Sequence, residues 1–266
     1  MTYAIQRWID DKEVRTHSFS GYWNNPEFEK DKLWSLCASD FGELEKRFAK
    51  KKLVDQFEML AKAGMGKLSG MVGASLASGT CLLEAMVLKK YPGIRQLSCV
   101  EFSRHRITIM APPTLAHYRI PPEQVQLCFG SFYDLKIPDQ SLDFVLLSQA
   151  FHHADDPVRL LKEVKRVLKA DGLVYIIGEH YFTRSEFLVR VAKHFVKFFL
   201  NYKRYRKARS FIPRFHVIIP NDPQKGDHHY TRKEYRAIFE NMGFAWQPFV
   251  FQSIKKQGFL LRRQSS

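Results

Sequence analysis

The chain has 266 residues, of which 45% are hydrophobic, and its 42 Lys and Arg against 27 Asp and Glu give a net charge of +15. This composition is ordinary for a globular protein and allows one large domain or two small ones. No apolar run has the length of a membrane span and no basic-then-apolar leader opens the chain, so we expect a cytoplasmic protein. The excess positive charge favours an anionic partner, such as nucleic acid, a phospholipid surface or a phosphate-bearing substrate. The cysteines (Cys37, Cys81, Cys99 and Cys128) contain no C-x-x-C pair, which favours reduced, buried thiols.

The first predicted segment, residues 1–66, is a mostly helical extension. A turn with two aromatic residues, Tyr22–Pro26, is followed by apolar residues at helical spacing in the stretches Leu33–Phe48 and Leu53–Ala63. Such an extension either caps the edge of a sheet or closes over a ligand.

Between residues 67 and 180, strand and helix patterns alternate. The clearest unit is a strand at Asp143–Ser148, an amphipathic helix from Val158 to Leu168 and a second strand at Leu173–Ile177, with Asp155–Pro157 as the helix start. Apolar strands joined by helices indicate a doubly wound, mostly parallel α/β sheet. The other predicted strands are a first strand entered through Gly66–Gly73, strands at Leu97–Phe102 and Val125–Phe129, and antiparallel strands over Phe249–Leu261. The other predicted helices are one after Gly79 and one capped by Thr231 and Glu234. A helical stretch is also predicted at Arg104–His117, where Pro112 and Pro113 end or kink it.

Beyond the last parallel strand, the sequence predicts a helical cap inserted at about residues 181–227. Its central stretch, Phe187–Arg209, combines an apolar stripe with a basic face. The stretch has three interpretations: a helix packed on the sheet, a lid over the acceptor, or an interfacial helix at an anionic membrane. The third interpretation would make the protein peripheral to the membrane.

Histidines lie where two predicted strands end, at the edge where parallel sheets bind ligands. His152 and His153 follow one strand and His180 follows the next. Because His152 and His153 are adjacent, we expect at most one of them to point into a pocket at this edge. A histidine here either acts as a general base or orders the loop through local hydrogen bonds. The histidine spacing does not favour a metal site, and the absence of a G-x-S-x-G elbow disfavours a Ser–His–Asp hydrolase.

Three motifs in order carry a resemblance to a known family. They are Asp139-Gln-Ser-Leu-Asp-Phe-Val, His152-His153-Ala-Asp-Asp-Pro and Leu161-Lys-Glu-Val-Lys-Arg-Val-Leu-Lys-Ala-Asp-Gly. At this spacing they resemble the class I S-adenosylmethionine-dependent methyltransferases of the methyltransferase-domain-11 type, over roughly residues 67–180. The resemblance implies a seven-stranded sheet in a methyltransferase domain at 67–266, with the extension before it and the cap inside it.

The resemblance also implies a site for S-adenosylmethionine. The family's first strand-to-helix loop reads as an acid followed by G-x-G-x-G, and here Gly73 stands at the acid's position, Ser75 and Ala77 at the first two glycines and Gly79 at the third. Glu101 matches the acid that holds the ribose hydroxyls. The remaining positions that would contact the donor are Phe102 beside the adenine, Ser131 and Phe132 after the third strand, and Gln149 beneath the donor.

The resemblance implies a methyltransferase that acts on a small-molecule or lipid- or saccharide-type acceptor, and the histidine-rich rim favours oxygen as the methylated atom. Two alternatives stay open. One is an RNA methyltransferase, which the net charge favours and the lack of an aromatic platform disfavours. The other is a non-catalytic binding module, because Ser75 and Ala77 tolerate left-handed backbone less well than glycine. The acceptor and the oligomeric state are not readable from the sequence.

Overall fold

The computed structural model describes residues 1–16, 20–25, 36–37, 40–64, 66–180, 188–189, 192, 195–196, 228 and 230–264. Within these ranges one sheet contains the strands β1 (Ile5–Arg7), β2 (Val72–Leu76), β3 (Gln96–Glu101), β4 (Val125–Phe129), β5 (Leu142–Ser148), β6 (Leu168–His180), β7 (Phe244–Phe251) and β8 (Lys256–Arg263). The α-helices of the same ranges are α1 (Asp11–Thr16), α2 (Ser20–Trp23), α3 (Phe41–Ala49), α4 (Leu53–Gly64), α5 (Leu82–Lys90), α6 (Ala111–His117), α7 (Pro157–Val167) and α8 (Arg232–Asn241).

The sheet confirms the predicted, mostly parallel α/β architecture. Its strand order is β1-β4-β3-β2-β5-β6-β8-β7, and the neighbouring strands are parallel except in the two pairs that contain β8. The chain runs outward from β2 through β3 to β4 and then crosses to β5 on the other side of β2. The direction of winding therefore reverses between β2 and β5, and open α/β sheets bind ligands at such a switch point.

The sheet has one strand more than the seven predicted, because the N-terminal segment supplies β1. Ile5–Arg7 pairs in parallel with β4, and the backbone N–H of Trp8 continues the ladder by donating to the Phe129 carbonyl at 2.9 Å. Three residues are too few to show a period, so the pattern of residues 1–66 predicts only helices.

Both faces of the sheet are buried beneath helices. Along β5, Phe144 and Leu146 pack into the core that α4 and α5 cover, whereas Val145 and Leu147 pack into the core that α7 and α8 cover. A strand that is buried on both faces has no polar side to alternate with, which explains its continuous apolar run.

The predicted helix caps are present. The Asp156 side chain accepts a hydrogen bond from the Arg159 backbone N–H at 2.9 Å at the start of α7. Thr231 and Glu234 form the reciprocal capping box of α8. The prediction for Pro112 and Pro113 was only partly right, because a π-helical turn precedes them and both lie in the first turn of α6, where a missing N–H is tolerated.

The predicted cap lies mostly outside the described residues. Of the stretch Phe187–Arg209, the structure describes only residues 188–189, 192 and 195–196, and these are helical. The three interpretations of this stretch therefore stay predictions. Among the described helices, none is long and apolar enough to cross a membrane.

Gly73 lies inside β2 and faces an aromatic ring. A Cβ atom added to Gly73 would lie 2.3 Å from Cζ of Phe144. Because overpacking of a core typically costs about 1–3 kcal/mol, and this contact is severe, we expect Gly73→Ala to lower the free energy of unfolding by about 3 kcal/mol, measured by urea denaturation.

Gly42→Ala is the matched control, because the nearest atom to its added Cβ, Oδ1 of Asp40, is 3.4 Å away and Ala is a better helix former. Adding Phe144→Leu to Gly73→Ala should restore part of the stability. If Gly73→Ala is as stable as the wild type, the packing of Phe144 against β2 is wrong.

Candidate active site

A cavity of about 580 Å³ opens at the C-terminal ends of β2, β3, β5 and β6. It lies at the switch point of the sheet, where the loops after these strands meet. Its walls also include side chains from the N-terminal extension, among them Trp23 and Lys51. The extension packs on the sheet through α4, and it also forms part of the cavity wall; its closure over a ligand stays a prediction.

The loop after β2 keeps the left-handed backbone that glycines usually provide. Ala77 has φ +54° and Gly79 has φ +59°, and both residues line the cavity. An added Cβ at Gly79 would meet no atom within 4 Å, so its backbone is open to a ligand. An alanine in this conformation costs roughly 1–2 kcal/mol, which the surrounding fold offsets.

The predicted donor residues separate into two groups. Gly73 and Ser75 lie within β2 and do not line the cavity: Gly73 faces Phe144, and the Ser75 hydroxyl donates to Oε1 of Glu84 at 2.5 Å. The others do line it, namely Ala77, Gly79, Glu101, Phe102, Ser131, Phe132 and Gln149.

Glu101 joins the ends of β2 and β3. Its Oε2 accepts a hydrogen bond from the Gly79 backbone N–H at 2.7 Å, and its Oε1 accepts one from the Ser103 backbone N–H at 2.7 Å. The side chain is buried, at 5% exposure, but still contributes to the cavity wall. The carboxylate therefore holds the open loop in place, and its remaining lone pairs are available to a ligand.

Gln149 also has a left-handed backbone, with φ +52°, directly after β5. Its backbone N–H donates to the Ile177 carbonyl at 2.8 Å, and its Oε1 accepts from Nζ of Lys51 at 3.2 Å. Only glycine fits at the neighbouring position 178, because a Cβ added to Gly178 would lie 2.6 Å from Cγ of Gln149.

The three predicted histidines meet at the cavity. The ring centroid of His152 lies 4.2 Å from that of His153 and 5.3 Å from that of His180. The expectation that only one of the adjacent pair reaches the pocket was wrong, because both line it. The reason is local: Phe151–His153 forms a 3₁₀ turn, which does not send successive side chains to opposite faces as a strand does.

His152 is held by a buried carboxylate. Its Nδ1 lies 2.9 Å from Oε2 of Glu179, which also accepts a hydrogen bond from the Tyr235 hydroxyl at 2.8 Å. Complete burial alone would raise the pKa of Glu179, but the attraction and hydrogen bond of His152, together with the Tyr235 hydroxyl, outweigh it and hold the pKa below its usual range. Glu179 is thus ionised and can only accept hydrogen bonds, so Nδ1 of His152 is protonated and donates a hydrogen bond to Glu179.

Cations line the same cavity. They come from Lys50, Lys51, Arg106 and Lys256, and Nζ of Lys256 lies 3.2 Å from Nδ1 of His180. Burial, together with the charges of Lys256 and Arg106, lowers the pKa of Lys51 to about 8. Mutual repulsion of this kind favours a ligand that carries negative charge.

Sequence reasoning missed several of these side chains. In the sequence, Tyr235 is one of several apolar residues of the helix after Thr231, and Lys51 and Lys256 lie in segments without a motif. Trp23, whose ring centroid is 5.0 Å from that of His153, was recognised only as a turn aromatic. Among the described residues, no group of three His, Cys, Asp or Glu side chains could hold a metal ion.

The sheet order, the switch-point cavity and the loop after β2 define a Rossmann-like fold of the class I methyltransferase type. A family profile described as "Methyltransferase domain" matches residues 76–176. The uncharacterized methyltransferase YcgJ of Bacillus subtilis (strain 168) is 33% identical over 72 residues, which are 27% of this chain and 28% of that protein's length. Over residues 76–176 the chain is thus similar to the methyltransferase-domain family, and its fold is that of the class I S-adenosylmethionine-dependent methyltransferases.

Solved structures share the fold. A SAM-dependent methyltransferase from Aquifex aeolicus superposes with a TM-score of 0.55 at 17% identity, over 80% of this chain and 92% of that one. The mitomycin 7-O-methyltransferase MmcR superposes with a TM-score of 0.55 at 18% identity, over 94% of this chain and 65% of that one. The residues fit the donor used by this family, because Gly79 leaves the loop backbone open and the carboxylate of Glu101 lines the cavity beside it.

Proposed function

We propose that this protein methylates a hydroxyl oxygen of a small, acidic acceptor, with S-adenosylmethionine as the donor. The observation that carries the proposal is the pairing of His152 with the buried carboxylate of Glu179, in the same cavity as the open loop after β2. Within one cavity, the chain thus has a place for the donor and a base for the acceptor.

The donor side depends on position rather than on side-chain chemistry. The sulfonium of the donor supplies an already activated methyl group, so the protein needs to hold that group in line with the attacking atom. Glu101 would accept hydrogen bonds from the ribose hydroxyls, and the exposed backbone at Gly79 would allow the amino-acid part to come close. Phe102 and Phe132 both line the cavity and would flank the adenine.

His152 acts as the general base. Because the N–H at Nδ1 donates a hydrogen bond to Glu179, the basic nitrogen of the neutral ring is Nε2. This nitrogen takes the hydroxyl proton as the oxygen attacks, and the carboxylate of Glu179 stabilises the imidazolium that forms. Glu179 and Tyr235 are positioning residues, because they act through His152.

The cationic wall selects the acceptor. Lys256 lies beside His180, and Lys51 and Arg106 line the same space. These charges stabilise an oxyanion and so favour an acidic hydroxyl, such as that of a phenol or an enol, over an alkyl alcohol or an amine. The fold likeness to an O-methyltransferase supports this choice of atom without identifying the acceptor.

A panel assay tests the proposal. The protein is incubated with methyl-labelled donor and with phenols, enols, sugars, lipid-linked alcohols, amines and RNA, and the products are identified by mass spectrometry. We expect a methyl ether on an acidic hydroxyl. Labelled amines, or label on RNA together with salt-sensitive RNA retention, would overturn the proposed acceptor class.

A further inference from the structure

Next to the loop after β2 lies a carboxyl group that neither the sequence motif nor the proposed mechanism uses. Glu84 belongs to α5 and is only 2% exposed, yet it contributes to the cavity wall. Its Oε1 accepts from the Ser75 hydroxyl at 2.5 Å. Its Oε2 is buried and, among the described residues, has no hydrogen-bond partner.

This carboxyl group lies against the face of β2 to which residues 73 and 75 belong, and neither of these two residues is an acid. Residues 73 and 75 lie two apart on one strand, so they project from the same face of the sheet. At position 73 the space for a side chain is filled by the ring of Phe144, and at position 75 the hydroxyl binds Glu84. The negative charge at this point of the cavity therefore comes from the helix and not from the strand.

A buried carboxylate oxygen without a donor is costly, and a cationic donor removes the cost most effectively. The methyl donor of the proposed function carries two cations, a sulfonium and an α-ammonium. A sulfonium has no N–H or O–H group, whereas an ammonium has three hydrogen-bond donors. Only the ammonium satisfies both the charge and the open lone pairs of Oε2.

We propose that Glu84 binds the α-ammonium group of the donor's amino-acid part. The inference rests on the proposed function for the presence of the donor, and it adds a binding residue that the family motif does not contain. Ser75 is the positioning residue, because its hydroxyl fixes the carboxyl group from below.

The charge state of Glu84 makes the contact sensitive to pH. Burial raises the pKa of Glu84 to about 7, the Ser75 hydrogen bond opposes that rise, and the charge of Glu101 adds to it. The thiol of Cys99 also interacts with Glu84. Only the ionised carboxylate attracts an ammonium, so the affinity for the donor should be highest well above pH 7. It should fall as the pH is lowered through 7, by about tenfold between pH 8 and pH 6.

Calorimetry with two ligands tests the inference. One ligand is S-adenosylhomocysteine, and the other is its analogue that lacks only the α-amino group. Because hydrogen bonds to charged groups are strong, we expect Glu84→Gln to weaken S-adenosylhomocysteine binding about 30-fold and the desamino analogue less than about twofold. Glu58→Gln is the control, since it removes a charge from a surface ion pair with Lys90 and should change neither affinity.

A second variant covers the case in which Glu84→Gln does not fold. Ser75→Ala removes the hydrogen bond that lowers the pKa of Glu84, so the pH midpoint for S-adenosylhomocysteine binding should move upward. Equal binding of the two ligands by the wild type, or a pH-independent affinity, would overturn the role of Glu84 while leaving the donor site intact. If the wild type bound neither ligand, the proposed function itself would fail.

Discussion

Replacing His152 with Gln should lower the rate of methyl transfer about a thousandfold, because a general base contributes about 10²–10⁴ to such a step. The affinity for S-adenosylhomocysteine should stay within about twofold, since general-base catalysis acts on the acceptor and not on the donor. Gln is the appropriate replacement because its amide can still donate to Glu179, so the buried carboxylate is not left without a partner. The rate is measured as S-adenosylhomocysteine release with the acceptor found by the panel assay.

The neighbouring histidines are the controls for this prediction. His153→Gln and His180→Gln should each reduce the rate less than about tenfold, because the hydrogen bond to Glu179 that orients the base comes from His152. Lys256 stands 3.2 Å from His180, which makes that ring a poor place for a second positive charge. A fully active His152→Gln enzyme, or an equal loss in His153→Gln, would contradict the assignment of the base.

Replacing Glu101 with Gln should weaken S-adenosylhomocysteine binding about a hundredfold or more, because two charge-assisted hydrogen bonds are affected, and each is worth about 1.5–3 kcal/mol. Its two oxygens accept the backbone N–H groups of Gly79 and Ser103. An amide has one acceptor oxygen, so one N–H loses its partner and the loop after β2 loses its fixed shape. The same change removes the charge that binds the ribose hydroxyls.

The stability of the variant separates the two effects. We expect the free energy of unfolding to fall by about 2 kcal/mol, from the lost hydrogen bond to the loop. Glu123→Gln, at an exposed position outside the cavity, should change neither stability nor affinity. Donor affinity that survives in Glu101→Gln would show that this carboxylate does not hold the ribose.

The sequence predicted the parts of the fold that depend on local patterns. The βαβ unit around α7 and the capping box of Thr231 and Glu234 are readable because their signals lie within a few residues of each other. The missing strand β1 shows the limit of this approach. Its three residues have no period of their own and become a strand only because the edge of β4 is available to pair with them.

The sequence predicted which strand ends form the site, but it did not predict the hydrogen bonds that connect the side chains of the site. His152, Glu179 and Tyr235 come from three elements, and Tyr235 is 56 residues from Glu179 in the chain. Lys51 reaches Gln149 across 98 residues. No local pattern reports which distant side chain fills a space or completes a hydrogen bond.

The loop after β2 shows the same limit twice, once for its backbone shape and once for the side chains around it. Its sequence lacks two of three glycines, which predicts a poorer fit to the donor, yet Ala77 and Gly79 adopt left-handed backbone. The closure of position 73 by Phe144 and the approach of Glu84 to Ser75 depend on tertiary packing. A degenerate motif can therefore leave the shape of the loop intact while changing which residues supply its charge.

The most direct measurement is a calorimetric titration of the wild-type protein with S-adenosylhomocysteine at pH 8. We expect one site per chain with an affinity in the micromolar range, about −8 kcal/mol, and competition by S-adenosylmethionine. No detectable heat of binding, with the protein shown to be folded by circular dichroism, would contradict the presence of a donor site between the loop after β2 and Glu101.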